Sequence, residues 1–240
     1  MKTVVVIPAR YGSTRFLGKP LFLIKDKPLI WYVCQKAKQC KNVDLIAVAT
    51  DDKRIYDAVK SFGCSAFMTP ETCKNGTERL AFTAQKELKD YDIFINIQGD
   101  EPLIDPNLIS RLASGLQEDK NLEFITAAYP LKDETDIKNP NIVKVVFDKN
   151  GYALYFSRHS IPYNRDNTPA AYYKHIGVYG YTRDFLINFS KMPASPLEKA
   201  ESLEQLRALE SGCKIKVIIA AKDTIGVDAP QDIEKVAKYL

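Results

Sequence analysis

Short apolar runs alternate with longer amphipathic segments along the first half of the chain, and this alternation constrains the fold more than any other feature. Residues 3–7, 45–49 and 93–97 are continuous apolar runs rich in β-branched side chains. Such runs are typical of strands that are buried on both faces. A shorter strand is expected at 66–68, and the segments with helical periodicity are 29–39, 53–62 and 77–87. This order predicts an α/β fold, a mostly parallel sheet covered by helices on both faces.

The pattern changes after about residue 120. Strand-like segments follow one another at 126–129, 143–147 and 153–157, and Asp148–Gly151 predicts a hairpin turn between the last two. A helix at about 197–211, a strand at 215–221 and a helix at about 230–239 then restore the first pattern. We therefore expect one domain over 1–240 that carries a β-rich extension at about 125–185.

Charge and composition exclude several classes of protein. The 34 basic and 30 acidic side chains leave a net charge of only +4 without a basic run, which argues against a nucleic-acid binder. No apolar stretch is long enough for a membrane helix, and the N-terminus has no signal-peptide pattern. Five scattered cysteines indicate reduced thiols. We expect a cytoplasmic protein without membrane insertion.

The loop after the first strand is the strongest candidate for an anion site. Ligands of open parallel sheets bind beyond the carboxyl ends of the strands, where this loop must lie. Its glycines allow backbone N–H groups to approach an anion, and its cations neutralise the charge. It matches neither the P-loop nor the dinucleotide fingerprint, because the glycine spacing differs and Pro20 follows Lys19. The residues in question are Arg10, Gly12, Ser13, Thr14, Arg15, Gly18 and Lys19.

Two aspartates follow predicted strands. Asp100 comes directly after 93–97, beside Gly99, where a carboxylate can hold Mg²⁺ against a phosphate or close an Asx turn. Asp228 precedes Gln231 with the spacing of a helix capping box, and a metal role is compatible with a cap. The segment 74–79 similarly reads as a helix start or as a polar site at a helix N-terminus.

The remaining candidates are weaker when each is taken alone. Arg158 follows an aromatic segment and suits bidentate pairing with a carboxylate. His175 and Tyr179 alternate as sheet residues do, and Glu204 and Gln205 lie in a segment where most polar residues should be solvated.

Taken together, the motifs resemble one family, the 3-deoxy-manno-octulosonate (Kdo) cytidylyltransferases or CMP-Kdo synthetases. The matching blocks run in the family's order through nearly the whole chain, and their joint occurrence is specific. They are 7–15, 18–21, 75–79, 96–102, 151–158, 175–179, 203–207 and 227–230.

The resemblance implies a Rossmann-like nucleotidyltransferase fold with a β-rich dimerisation extension. It also implies a homodimer that uses Mg²⁺, CTP and Kdo to form CMP-Kdo and pyrophosphate for lipopolysaccharide biosynthesis. The roles implied are nucleotide binding by Arg10, Gly12, Ser13, Arg15, Lys19, Asn75, Gly76 and Arg79, sugar binding by Gln98, Arg158, His175, Tyr179, Glu204 and Gln205, metal binding by Asp100 and Asp228, and catalysis by Arg15, Lys19, Asp100 and Asp228.

Other functions remain open at this point. The same chemistry on the 8-amino analogue of Kdo is a close rival, and the sequence does not show which side chains face the far end of the sugar. A CMP-sialic acid synthetase fits the 203–207 block less well. A non-catalytic nucleotide-binding protein would not need the paired carboxylates Asp100 and Asp228 together with Lys19.

One residue departs from the family's pattern and generates a prediction. The family usually has Pro before the second glycine, where this chain has Leu17. Because proline restricts the backbone before ligand binds, the Leu17→Pro variant should bind CTP more tightly or show a better protected loop. Titration with CTP and amide hydrogen exchange check this, and an unchanged result in both would contradict it.

Overall fold

The computed structural model describes residues 1–12, 16–166 and 168–240. The strands are β1 (Thr3–Ala9), β2 (Leu23–Ile24), β3 (Lys27–Pro28), β4 (Leu45–Thr50), β5 (Ser65–Met68), β6 (Ile93–Asn96), β7 (Phe124–Leu131), β8 (Lys144–Phe147), β9 (Ala153–Ser157), β10 (Tyr172–Thr182) and β11 (Lys216–Ile219). The helices are α1 (Leu29–Ala37), α2 (Lys53–Ser61), α3 (Gly76–Lys86), α4 (Pro106–Glu118), α5 (Glu134–Lys138), α6 (Arg183–Phe189), α7 (Pro196–Glu201), α8 (Gln205–Glu210) and α9 (Asp232–Ala237), and a 3₁₀ turn spans Lys19–Leu21.

A mixed sheet organises the fold. Within the described residues its main path runs β11-β7-β10-β6-β1-β4-β5. Strand β1 pairs in parallel with β4 and β6, and β4 pairs in parallel with β5. Strand β10 is antiparallel to both β6 and β7, which separates the parallel core from the parallel pair β7–β11. The predicted α/β class and its mostly parallel sheet are confirmed.

The central strand shows why the apolar runs are continuous. Val5 and Ile7 of β1 pack into one core beneath α1 and α4, whereas Val4 and Val6 pack into a second core beneath α3 and α6. All four side chains are fully buried. Both faces of the strand are covered, so a polar side chain at any of these positions would be buried in one of the two cores. The run of apolar residues is therefore continuous.

The β-rich region divides into two parts. Strands β7 and β10 belong to the main sheet, whereas β8 and β9 form a hairpin that joins β10 through the pairing of Lys144 with Lys174. The predicted turn at Asp148–Gly151 is confirmed, because the Asp148 carboxylate accepts hydrogen bonds from the N–H groups of Asn150 and Tyr152. Gly151 has a φ of 77°, which favours glycine there.

Two helix predictions need correction. The single helix expected at about 197–211 is two short helices, α7 and α8, because Ser202 adopts a left-handed conformation with φ of 52° and ends the first one. Helix α4 has no counterpart among the predicted helices, although Asp105 caps it and Pro106 stands at its first position. After the break at Ser202, the Glu204 side chain contacts the start of α3 and Gln205 is buried.

A third apolar cluster ties the end of the chain to its beginning. Val236 of α9 and Val227 pack with Ile24 and Leu29, and Phe16 packs against the same cluster. In the described part of the chain, no helix combines the length and the apolar character that crossing a membrane requires.

The packing of β10 generates a stability prediction. A Cβ added at Gly180 would lie 2.7 Å from Ile125 and 2.9 Å from Leu116, closer than side chains tolerate. Gly180→Ala should therefore lower the free energy of unfolding by about 1–3 kcal/mol. Gly177→Ala is the matched control on the same strand, since nothing lies within 4 Å of its added Cβ. Denaturant unfolding of both variants checks the difference, and equal losses would contradict it.

Candidate active site

Two adjoining clefts open beyond the carboxyl ends of β1 and β6. The first, of about 290 Å³, lies between the loop after β1 and the start of α3. The second, of about 570 Å³, lies between β10, the loop before α8 and the loop before α9. Gly76 and Gln98 line both, so the two clefts form one continuous site with two compartments.

Glycines bring the walls of this site close together. A Cβ at Gly99 would lie 3.0 Å from the carbonyl oxygen of Pro8, and a Cβ at Gly76 would lie 3.1 Å from the Pro8 ring. The loop after β6 and the start of α3 therefore both rest directly on the end of β1. The boundary between the two clefts, lined by Gly76 and Gln98, is called the seam. A side chain at position 76 or 99 would push its walls apart.

The loop after β1 is held by its own contacts. Gly18 has a φ of 69° and packs beneath the Tyr11 ring, and its N–H donates to the Tyr11 carbonyl at 2.9 Å. The guanidinium of Arg54 lies 3.4 Å from the centre of the same ring. It also donates a hydrogen bond to the carboxylate of Asp52. Leu17 is 69% exposed on this loop, which leaves its side chain free of the core.

The first cleft contains most of the residues predicted to bind nucleotide. Gly12 is exposed and lies outside both linings, while Ser13 and Arg15 fall outside the described residues. The lining residues with a predicted nucleotide role are Arg10, Lys19, Asn75, Gly76 and Arg79.

Two of these residues also build the cleft. Arg79 is buried, and its guanidinium donates to Asp51 at 2.6 Å and to the hydroxyl of Thr69. Asn75 caps α3 by accepting a hydrogen bond from the N–H of Glu78 at 2.8 Å. The cation of Arg79 is therefore balanced within the protein, whereas Arg10 is exposed at the cleft.

Lys19 connects the two sides of the seam. Its ammonium group donates to Asp100 at 2.5 Å and to the carbonyl of Val227 at 2.8 Å. The N–H of Val227 in turn donates to the carbonyl of Asp100 at 2.8 Å. The loops that carry Asp100 and Asp228 are therefore joined directly, with a cation at their junction.

Asp228 lines the second cleft and is not the cap of the last helix. Helix α9 begins at Asp232, and its N-cap is Gln231 without a side-chain cap. The capping box predicted from Asp228 and Gln231 is wrong. Instead, the Asp232 carboxylate accepts hydrogen bonds from the N–H groups of Asp228 (3.1 Å) and Ala229 (2.9 Å), which fixes the loop from its other end.

Asp100 and Asp228 suit a magnesium ion in the kind of donor they offer. Carboxylate oxygens are hard ligands, and Mg²⁺ is commonly held by one or two carboxylates with substrate phosphates and water. The ammonium group at 2.5 Å shows that the Asp100 carboxylate accommodates a cation. No group of three or more His, Cys, Asp or Glu side chains in the described ranges is placed to hold a metal by itself.

Five of the six residues predicted to bind the sugar line the second cleft: Gln98, His175, Tyr179, Glu204 and Gln205. The sixth, Arg158, lies behind its wall. Its guanidinium donates to the carbonyls of Glu201 at 2.7 Å and Pro140 at 3.1 Å, so it joins two wall loops.

Lys144 completes this wall and was not predicted. It is fully buried, and its ammonium group donates to the carbonyls of Asn139 (2.9 Å), Ile142 (2.6 Å) and Arg158 (2.6 Å). Three carbonyl acceptors satisfy the three donors of the ammonium group. Its signal in the sequence is a charged residue at the start of the apolar run 144–147.

Glu204 links the two compartments. Its carboxylate accepts hydrogen bonds from Asn75 at 3.0 Å and Thr77 at 2.9 Å, both at the start of α3. Burial raises the pKa of this carboxyl, while the Thr77 hydrogen bond opposes the shift. Glu204 therefore connects the second cleft to the start of α3, which also lines the first cleft.

Uncharged groups form the floor of the second cleft. Burial lowers the pKa of His175 to about 3, and its Nε2 lies 3.0 Å from the Thr126 hydroxyl. Burial also raises the pKa of the Tyr179 phenol. Both side chains are therefore neutral at physiological pH and offer hydrogen bonds without a net charge.

The residues of this cleft that were not predicted include Asn96, Glu101 and Lys174. Burial, reinforced by the negative charge of Asp100, raises the pKa of Glu101 to about 7. Lys174 donates to Asp223 at 2.8 Å. Asn96 had a signal that could have identified it, since it is a polar residue at the end of the apolar strand β6.

The buried histidine generates a prediction about pH. The pKa of His175 is about 3 in the folded protein and about 6.5 in the unfolded chain, so the unfolded chain binds more protons between these values. Stability should fall as pH is lowered from about 6.5, by up to about 1.4 kcal/mol per pH unit from this group. His175→Gln should flatten that slope in denaturant unfolding, whereas His159→Gln, at an exposed position, should keep it. Parallel slopes for all three proteins would contradict the assignment.

Comparison with known proteins agrees with this geometry. A family model described as cytidylyltransferase matches residues 4–216. A 3-deoxy-manno-octulosonate cytidylyltransferase of Fusobacterium nucleatum is 51% identical over 100% of this chain and 97% of its own length. An 8-amino-3,8-dideoxy-manno-octulosonate cytidylyltransferase of Shewanella pealeana is 49% identical over 97% of this chain and 96% of its own length.

A solved structure of CMP:2-keto-3-deoxy-manno-octonic acid synthetase complexed with CTP has a TM-score of 0.95. It is 44% identical and covers 100% of this chain and 98% of that one. The match to the family model and these full-length similarities lead to one conclusion: the chain belongs to the cytidylyltransferase family.

Proposed function

We propose that the protein transfers the cytidylyl group of CTP to Kdo, forming CMP-Kdo and pyrophosphate. The observation that carries this proposal is the pair of clefts joined at Gly76 and Gln98, with Lys19 and Asp100 beside the seam. A transferase that joins two substrates directly needs such a continuous site, because the reacting atoms must meet. The relatives that carry this activity in their names and the CTP-bound neighbour support the assignment of CTP to the first cleft.

The chemistry needs positioning and charge neutralisation rather than a covalent intermediate. The anomeric hydroxyl of Kdo attacks the α-phosphorus of CTP in line, and pyrophosphate leaves from the opposite side. Arg10 and Lys19 at the first cleft neutralise the triphosphate and the charge that grows on the leaving group. Gln98, which both compartments share, orients the sugar toward the nucleotide.

We propose that Asp100 and Asp228 hold Mg²⁺ during this reaction. A magnesium ion bound there would supply positive charge to the phosphate and sugar oxygens and lower the cost of deprotonating the attacking hydroxyl. The protein's own contribution is to keep the two loops together, through the hydrogen bond from the Val227 N–H to the Asp100 carbonyl and through two hydrogen bonds that Lys19 donates, one to the Asp100 carboxylate and one to the Val227 carbonyl.

The second cleft suits a polyhydroxylated sugar acid. Its floor consists of the neutral side chains of His175 and Tyr179, and carboxylate and amide groups surround this floor. These groups offer many hydrogen bonds to a ligand without a uniformly positive or negative lining. Arg158 and Lys144 act from behind the wall and keep its loops in place. Glu204 orients the start of α3 between the compartments.

Three further aspects remain part of the proposal. We propose a homodimer that forms through the β8–β9 hairpin, where Leu154 is 64% exposed on a strand that pairs only with β8 among the described strands. The whole chain would act as one nucleotidyltransferase domain, with 125–185 as its β-rich extension.

The cytoplasm is the proposed location, because CTP is available there, and lipopolysaccharide biosynthesis is the process that would use the product.

The 8-amino analogue of Kdo is the second candidate substrate. The specific observation in its favour is the 49% identity to a relative named for that sugar, close to the 51% identity to a relative named for Kdo. Both sugars react through the same anomeric hydroxyl, so the mechanism above is unchanged by the choice.

Pyrophosphate release tests the activity and the site together. With CTP and Mg²⁺, the protein should release pyrophosphate when Kdo is offered, and turnover on the 8-amino sugar should be slower. Asp100→Asn should reduce turnover by about 100-fold or more, the size of effect seen when a preorganised electrostatic group is lost. Asp57→Asn is the control, because Asp57 pairs only with Lys53 on the exposed face of α2 among the ion pairs of the described residues.

Preference for the amino sugar would retain the mechanism and change the substrate. No release with either sugar would refute the proposed activity. Full activity of Asp100→Asn would remove Asp100 from the catalytic centre, and lowered activity of Asp57→Asn would indicate that the losses reflect folding instead.

A further inference from the structure

Unsatisfied polar atoms concentrate in the second cleft. Among the described residues, three buried side-chain atoms have no hydrogen-bond partner: Asn96 Oδ1, Glu101 Oε2 and Gln205 Nε2. All three residues line the second cleft. Because buried polar groups are nearly always paired, a cluster of unpaired ones at one place indicates that a ligand supplies the missing partners.

Asn96 is the most informative of the three, because its position otherwise favours an apolar side chain. It ends β6, where it pairs with Val6 on one side and Tyr179 on the other. Phe94, two residues earlier on the same face of the strand, is fully buried in the core. The residue itself is 2% exposed. An aliphatic residue of similar size would satisfy the fold better, so the amide points to a function.

The surroundings place this amide near the reacting end of the site. Asn96 lies two residues before the shared residue Gln98, and its Nδ2 lies 3.9 Å from the Cβ position of Gly76, the other shared residue. The amide oxygen is therefore close to the seam between the compartments. A sugar hydroxyl that reaches it belongs to the part of the substrate nearest the nucleotide.

We propose that Asn96 is a further sugar-binding residue, whose amide oxygen accepts a hydrogen bond from a hydroxyl of the bound sugar acid. This inference rests on the proposed function of the second cleft. The other two unpaired atoms fit the same ligand, since Gln205 provides a donor and Glu101 a second hydrogen-bonding oxygen. A polyhydroxylated compound can satisfy all three, because each hydroxyl both donates and accepts.

Because the contact lies at the seam, Asn96 binds a part of the sugar that Kdo and its 8-amino analogue share. Removing the amide should therefore weaken both sugars by the same factor. A residue that selected between the two sugars would instead change their ratio.

The test compares Asn96→Leu with the unaltered protein in pyrophosphate release. The KM for Kdo should rise about ten-fold or more, as expected when one buried hydrogen bond to the substrate is lost, while the KM for CTP stays within about two-fold. Without substrates, Asn96→Leu should unfold about 2–4 °C higher, because a buried unpaired polar atom has been removed. A purely structural amide would give the opposite shift.

Thr83→Val is the matched control for the stability measurement. Thr83 is fully buried and lines neither cleft, and its hydroxyl donates to the Leu80 carbonyl at 2.7 Å. Removing a satisfied hydroxyl should leave both KM values unchanged and should not raise the unfolding midpoint.

The outcomes separate this inference from the proposed function. If the unaltered protein turns over neither sugar, the proposed function fails and thermal shift of both proteins with Kdo alone still tests binding. If turnover of the unaltered protein is normal but Asn96→Leu has an unchanged KM for Kdo, the inference is overturned, whatever the stability of the variant. Should Asn96→Leu not fold, Asn96→Ala must show the same rise in the KM for Kdo, and an unchanged value would overturn it equally.

Discussion

The contact on which the rest of the site depends is the ammonium group of Lys19 between Asp100 and the carbonyl of Val227. It brings together three segments that are distant in sequence: the 3₁₀ turn at Lys19–Leu21, the loop after β6 and the loop before α9. The backbone hydrogen bond from Val227 to Asp100 closes the same junction without a side chain. The cation both holds the carboxylate and lines the first cleft, so the shape of the cleft and its charge have a common origin.

Away from this junction, buried charged side chains have partners within the protein. The buried polar atoms that have no hydrogen-bond partner among the described residues lie instead at the second cleft. Arg79 is balanced by Asp51, Arg207 by Glu198 at 2.6 Å, and Lys144 by three carbonyls. These satisfied groups make rigid walls, because removing one partner would leave a buried charge alone. The unpaired atoms of Asn96, Glu101 and Gln205 stand out against this background. Rigid walls around unsatisfied groups form a site that is organised before its ligand arrives.

The sequence predicted those features that depend on local pattern or on the family's motifs. The apolar runs located β1, β4 and β6, because strands covered on both faces leave a continuous signal. Lys19 and Asp100 were predicted to lie at one edge of the sheet because each belongs to a loop that follows a strand, and the two side chains are in contact. The break at Ser202 was missed, since a left-handed serine has no marker as clear as glycine. Sugar binding by Arg158 stays a prediction, and its hydrogen bonds to backbone carbonyls of distant loops are a feature that composition does not reveal.

The junction at Val227 also has a consequence for synthesis on the ribosome. Strands β1, β4, β5 and β6 and the lining of the first cleft precede residue 101, but the acceptor carbonyl of Val227 and the carboxylate of Asp228 come much later in the chain, with α9 packing behind them. A nascent chain can therefore assemble the parallel core early, yet Lys19 gains its second acceptor only after residue 227 has left the exit tunnel. The order of the segments therefore delays this junction until after the parallel core has been synthesised.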